Sequence, residues 1–203
     1  MDQNLCALLL GGTSNIGKST VAAAIGERLH WPVRSTDKLA RYPGRPWPTP
    51  DWQVPPQVAE HYRTLRDLEL VEGQLAHYRR MWPLIEALVR QHADGAATER
   101  LVLEGSGIWP DNVAALHLPT VAAIWLSGSA GLIEARIRAE SRYDSADADG
   151  RLLIDRFVVR SIGYDVRMRA AVARLGLPMI EVTPSATFDA LADQCLAHMR
   201  TLA

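Results

Sequence analysis

An α/β protein built on a parallel sheet is the fold class this chain predicts, and three observations predict it. Short, continuous apolar runs recur along the 203 residues, helix-period segments fall between them, and the first run leads through a glycine-rich loop directly into a helix. Repeated βα units of this kind feed a sheet whose strands are buried on both faces. Ligands of such sheets gather at the carboxyl ends of the strands, so chemistry is sought just after each run.

Leu5 to Leu10 is the first run, apolar throughout. Gly12-Thr13-Ser14-Asn15-Ile16-Gly17-Lys18-Ser19-Thr20 follows and completes a G-x-x-x-x-G-K-[ST] spacing, which makes a nucleoside triphosphate the expected ligand. The spacing has a physical reason. Glycines let the backbone curl until several N–H groups aim at one anionic centre, Lys18 reaches the outer phosphates, and the Ser19 hydroxyl coordinates Mg²⁺. Val21, Ile25 and Leu29 then recur every four residues, giving the next helix an apolar stripe and its N-terminal partial charge to the phosphates.

The second run, Pro32 to Ser35, ends at Ser35-Thr36-Asp37. A carboxylate there, beside the phosphate loop, can accept the proton of an attacking hydroxyl; the competing reading of Asp37 is a helix cap. Arg41 to Asp51 is proline-dense and interleaved with Trp47, so neither helix nor central strand is expected; Trp47 and Trp52 read as packing under that segment more readily than as pocket walls. Helical sequence runs from about Gln57 to His92, with Pro83 placed to start a separate helix. Residues 41–95 together read as an insertion over the sheet edge.

Leu101 to Leu103 is the third run and ends in Glu104-Gly105-Ser106-Gly107. An acid at this place can hold Mg²⁺, directly or through water, and Gly105 lets the main chain approach a substrate. The remaining runs are Val121 to Leu126 and Met179 to Val182. Between them lie nine arginines from Arg136 to Arg174, in which Arg138 with Arg142 and Arg156 with Arg160 are spaced by one turn. They flank an Asp/Ser/Ala-rich stretch, Tyr143 to Gly150, expected as a mobile loop. Residues 136–160 suit a lid that neutralises transferring phosphate and excludes water. The plainer reading is a solvated helix face, with Glu134 pairing Arg138 and Asp165 pairing Arg169.

Composition narrows the function. Of 22 basic residues only Lys18 and Lys38 are lysine, and one of the two stands where a compact ammonium meets phosphate. A net charge of −1 argues against nucleic acid as a partner, and no apolar stretch is long enough for a membrane span. Cys6 and Cys195 form no metal or disulfide spacing, and the six histidines form no metal-ligand pattern, so a reducing cytoplasm is expected. There is no Asn-Lys-x-Asp string to read guanine and no LSGGQ-like segment; Asp147-Ala148-Asp149-Gly150 matches D-x-x-G but in polar sequence.

The chain resembles the small P-loop kinases, the group containing adenylate, shikimate and gluconate kinases, through Leu10 to Thr20, Ser35-Thr36-Asp37 and Leu103-Glu104-Gly105, with the 2-phosphoglycerate kinase-like branch as the nearest echo. The resemblance implies a three-layer P-loop NTPase fold in one domain over residues 1–203, with a five-stranded parallel sheet of order 2-3-1-4-5, an acceptor-binding helical insertion after strand two and an arginine-rich lid. It implies an ATP- and Mg²⁺-dependent transfer to a small-molecule acceptor, with Lys18, Asp37, Arg138 and Arg142 in catalysis. Asp37, Arg41, Glu104 and Gly105 would meet the acceptor, and Ser19 and Glu104 the metal. The Arg-x-x-Arg-Pro lid of shikimate kinases and any nucleoside-monophosphate motif are missing, so the acceptor stays undefined. A nucleoside or nucleotide kinase and a non-kinase ATP- or GTP-binding switch are the alternatives; the assembly is left open, a homodimer being one option.

Overall fold

The computed structural model describes residues 5–39 and 42–201, without the side chains of the last two of these. Five parallel strands form one sheet: β1 (Ala7–Gly12), β2 (Val33–Ser35), β3 (Leu101–Glu104), β4 (Val121–Gly128) and β5 (Met179–Val182). Their order is β2-β3-β1-β4-β5, as the resemblance implies. Each expected run becomes a strand, shifted by at most two residues at either end.

Strand burial follows position in the sheet. β1, at the centre, is buried at all six residues, whereas edge strand β2 is largely exposed. Side-chain alternation splits the interior into two layers. Leu8, Leu10, Val102, Ile124 and Leu126 face one side, joined by Val21 and Ile25 of α1 (Lys18–Leu29) and Leu191 and Cys195 of α7 (Phe188–Thr201). Ala7, Leu9, Leu101, Leu103 and Trp125 face the other. Each Leu or Ile so buried contributes about 1.5–3 kcal/mol.

The region after β2 carries α2 (Pro56–Thr64) and α3 (Asp67–Ala93). Pro83 does not begin a new helix: it sits inside α3, correcting the expectation from sequence. A proline in a helix interior costs about 3 kcal/mol. Here Leu75, Met81, Ile85 and Val89, buried against the sheet on both sides of it, hold the helix together. A short helix, α4 (Pro110–Ala114), follows β3.

The Tyr143–Gly150 stretch is likewise not the loop expected. α5 (Ala130–Ser141) passes through a single 3₁₀ turn, Tyr143–Ser145, into the 28-residue α6 (Ala148–Leu175). Its polar residues do capping work. The Asp147 carboxylate accepts from Gly150 N–H at 2.7 Å, so the D-x-x-G string is a helix start. Tyr143 donates to Asp155 at 2.9 Å, and Arg151 donates to the Asp144 carbonyl at 2.8 Å. No helix among the described residues is long and apolar enough to cross a membrane.

Candidate active site

The carboxyl ends of β1, β2 and β3 open into one cavity of about 640 Å³. Ser14, Asn15, Gly17, Lys18, Ser19 and Thr20 form its floor, and Asp37 and Glu104 line it as well. The rest of the loop shapes that floor from behind. Thr13 is fully buried and donates to the Ser161 carbonyl at 2.9 Å, tying the loop to α6. Gly12 lies against the Leu126 carbonyl, and the Ile16 side chain is buried in the core. Gly17, with φ of 100°, caps α1 where a Cβ would meet the Phe188 ring at 2.7 Å.

Lys18 is 7% exposed and folds back to donate to the Thr13 carbonyl at 2.6 Å. Burial pushes its pKa below the ordinary lysine value, and Glu104 and Asp37 pull it partly back. Among the described residues no carboxylate lies within ion-pair distance of its ammonium. A buried cation short of counter-charge is a receptor for phosphate oxygens.

Asp37 stands in a 3₁₀ turn, Thr36–Lys38, whose start is capped by the Ser35 hydroxyl. The carboxylate is exposed to the cavity and Ser35 does the capping, so the helix-cap reading of Asp37 fails. Gly105 fixes the spacing between β2 and β3: its φ is +149°, and a Cβ there would lie 1.8 Å from the Thr36 Oγ1. Ser19 and Glu104 supply hydroxyl and carboxylate oxygen to the same space, donors that suit Mg²⁺. No group of three or more His, Cys, Asp or Glu among the described residues makes a metal cage, so an ion here would complete its shell with phosphate and water.

The lid arginines are redistributed. Arg138 is held by Glu134 at 2.8 Å and by Asp155 at 3.1 Å and lies off the cavity. Arg142 is the left-handed C-cap of α5, exposed and also off the cavity. The end of α5 at Ser141 breaks the one-turn relation that their spacing suggested. Of the second pair, Arg156 turns to Asp67 of α3, and only Arg160 reaches the cavity. Arg169 bonds Ser127 at 2.9 Å and not Asp165. Arg41 lies outside the described residues.

Arg136 and Arg160, both within the expected lid region, line the cavity instead, together with Arg45, which the sequence did not single out. Arg136 donates to the Ile16 carbonyl at 2.7 Å and lies 5.8 Å from the exposed ring of Phe188, beside the loop. Arg160 is 3% exposed. It donates to the Tyr62 hydroxyl at 2.6 Å and lies 4.2 Å from the Phe157 ring centroid, with its Nε unpartnered. It also donates to the Tyr42 carbonyl at 3.4 Å, and the groups it touches are uncharged: burial raises the Tyr62 phenol to about 12 and raises Tyr78 as well, and burial with Arg160 itself lowers His61. Tyr42, Tyr78 and Phe157 complete that end. Trp47 is buried edge-on to Phe157 of α6 at 4.8 Å and Trp52 donates to the Arg45 carbonyl, so the first packs under the proline segment and the second within it.

The architecture is the P-loop NTPase fold shared by small kinases. No protein-family model and no curated protein matches the chain. Among solved structures it is similar to a gluconokinase from Sinorhizobium meliloti 1021, at 18% identity and a TM-score of 0.54, covering 97% of this chain and 93% of that one. A shikimate kinase from Acinetobacter baumannii, solved with shikimate, gives 14% identity and a TM-score of 0.53 over 97% and 94%. A sugar kinase from Janibacter sp. HTCC2649 gives 15% and 0.52 over 98% of both chains. At these identities the likeness is one of fold, and it does not show a particular closeness to the 2-phosphoglycerate kinase-like branch.

Proposed function

We propose that this chain is an ATP- and Mg²⁺-dependent phosphotransferase whose acceptor is a small hydroxylated anion. The observation that carries the reading is that one cavity joins a complete phosphate loop to the Asp37 carboxylate and the uncompensated guanidinium of Arg160. A triphosphate laid on the loop amides would have its outer phosphates at Lys18, with its base beside Phe188 and Arg136. Mg²⁺, held through Ser19 and Glu104, would neutralise charge on the bridged phosphates. The acceptor hydroxyl would lie against Asp37, which takes its proton as the oxygen bonds to the γ-phosphorus and the bond to the β-phosphate oxygen breaks, releasing ADP.

The acceptor class follows from charge. A buried guanidinium among neutral phenols and an aromatic ring is costly unless an anion reaches it, so a carboxylate or phosphate on the acceptor is its natural partner. A switch protein has no use for Asp37 and Arg160 at the loop mouth, which favours a kinase over that alternative. Two cysteines that form no disulfide or metal spacing, Cys6 and Cys195, suit a reducing, cytoplasmic setting. The test is a thermal-shift and ATP-consumption screen over sugar acids, hydroxy acids, phosphorylated hydroxy compounds, neutral sugars and nucleosides. Stabilisation and turnover confined to anionic hydroxy compounds support the reading; a neutral acceptor as the best substrate refutes the acceptor class.

A further inference from the structure

Glu140, near the end of α5, reaches across the cavity mouth to two partners. One of its carboxylate oxygens accepts from the Asn15 side-chain amide in the phosphate loop, and the other pairs with Arg45 at 2.5 Å. All three residues line the cavity. The Arg45 main chain is fixed on both sides: its own carbonyl accepts from Trp52 Nε1 at 2.9 Å, and the preceding Gly44 carbonyl accepts from Tyr62 at 3.0 Å. Its side chain is therefore the movable part, 49% exposed and paired with the Glu140 carboxylate that also holds Asn15 of the loop. Arg45 and buried Lys18 line the same cavity, so two cations face the space where the loop would hold phosphate.

A carboxylate that accepts from a loop amide and a guanidinium together occupies the chemical role of a phosphate oxygen pair. It is also an anion at the mouth of a site built for a far stronger one. Resting on the kinase reading above, we infer that Arg45 is the guanidinium that grips the terminal phosphate of the bound triphosphate, and that Glu140 holds it in reserve until the nucleotide displaces the carboxylate. On binding, the Glu140 carboxylate moves away from the phosphates, and Asn15 and Arg45 exchange one anionic acceptor for another. No bond is made or broken in the exchange, and no change of fold is required.

Titration calorimetry with Mg·ATP and Mg·ADP, on the parent protein and on Glu140→Gln and Arg45→Ala, tests it. Both side chains are substantially exposed, 39% for Glu140 and 49% for Arg45, and matched melting curves establish that the variants are folded. Glu140→Gln removes the competing charge and should tighten Mg·ATP roughly tenfold, with Mg·ADP changing by less than about twofold. Arg45→Ala should weaken Mg·ATP by roughly tenfold and leave Mg·ADP nearly untouched, because only the triphosphate offers the group it grips. An Arg45→Ala variant that weakens both nucleotides equally, or neither, overturns the grip. Unchanged or weaker Mg·ATP binding in Glu140→Gln overturns the exchange. A parent that binds no nucleotide removes the kinase reading itself, whereas a parent that binds Mg·ATP normally beside two silent variants removes only this inference.

Discussion

The proposed phosphate end and the proposed acceptor end of the cavity are assembled in opposite ways. Nine consecutive residues, Gly12 to Thr20, make the first, and most of their work is done by main-chain amides in a shape that glycine permits and a following helix reinforces. The second is gathered from Asp37 after β2, Tyr42 in the segment that follows, Tyr78 on α3, Ser106 after β3, and Phe157 and Arg160 on α6. Backbone chemistry is contiguous, while side-chain chemistry is collected by the fold.

Perturbing each end in turn should separate donor from acceptor effects. The largest loss is expected for Lys18→Ala, which removes the one ammonium in the loop: steady-state turnover with whichever acceptor the screen returns should fall by about 10³-fold or more, with weaker Mg·ATP binding. Next comes Asp37→Ala, where turnover should drop by about 10²- to 10³-fold while the Kd for Mg·ATP stays within about twofold. Equal damage to binding and transfer in that variant would erase the division between the two ends. At the acceptor end, Arg160→Met should raise the KM for an anionic acceptor by roughly ten- to a hundredfold and spare Mg·ATP.

Two further changes probe the frame between the ends. Gly105→Ala puts a methyl group against Thr36, next to Asp37, and forces a non-glycine residue to φ of +149°. Chemical denaturation should show a loss of about 2–4 kcal/mol, with acceptor turnover falling as Asp37 shifts. The smallest effect concerns Asp165, which is 3% exposed on α6 and accepts from Ser127 at 2.8 Å. Burial raises its pKa from the ordinary 3.8 to about 6. Between those values the folded state holds more protons than the unfolded one, so this group makes stability fall as pH rises from about 4 to about 6. Asp165→Asn should flatten that slope in urea midpoints measured across the window.

How much was legible in sequence follows the same division. The strands, the loop, and Asp37 and Glu104 at strand ends could be read because each depends on local pattern or on a rule of parallel sheets, whereas the sheet order came only with the family resemblance. Arg138 and Arg142 were chosen by spacing alone, but Glu134 and Asp155 take up the first, and the end of α5 turns away the second. Arg160 had a second signal besides its one-turn spacing from Arg156. Leu153, Phe157, Ser161, Tyr164 and Met168 recur on the buried face of α6, and a charged residue within that face, as Arg160 and Asp165 are, is unusual enough to mark a site. Nothing comparable marked Arg45 or Phe188, which owe their places to tertiary contacts across 95 and 171 residues, with Glu140 and Gly17 respectively.

Calorimetric titration of the parent with Mg·ATP, repeated on Lys18→Ala and Asp37→Ala, goes to the heart of the matter. A single binding event in the parent, weakened in Lys18→Ala and preserved in Asp37→Ala, is what a triphosphate seated on the loop requires. No heat from the parent with either Mg·ATP or Mg·GTP would refute it.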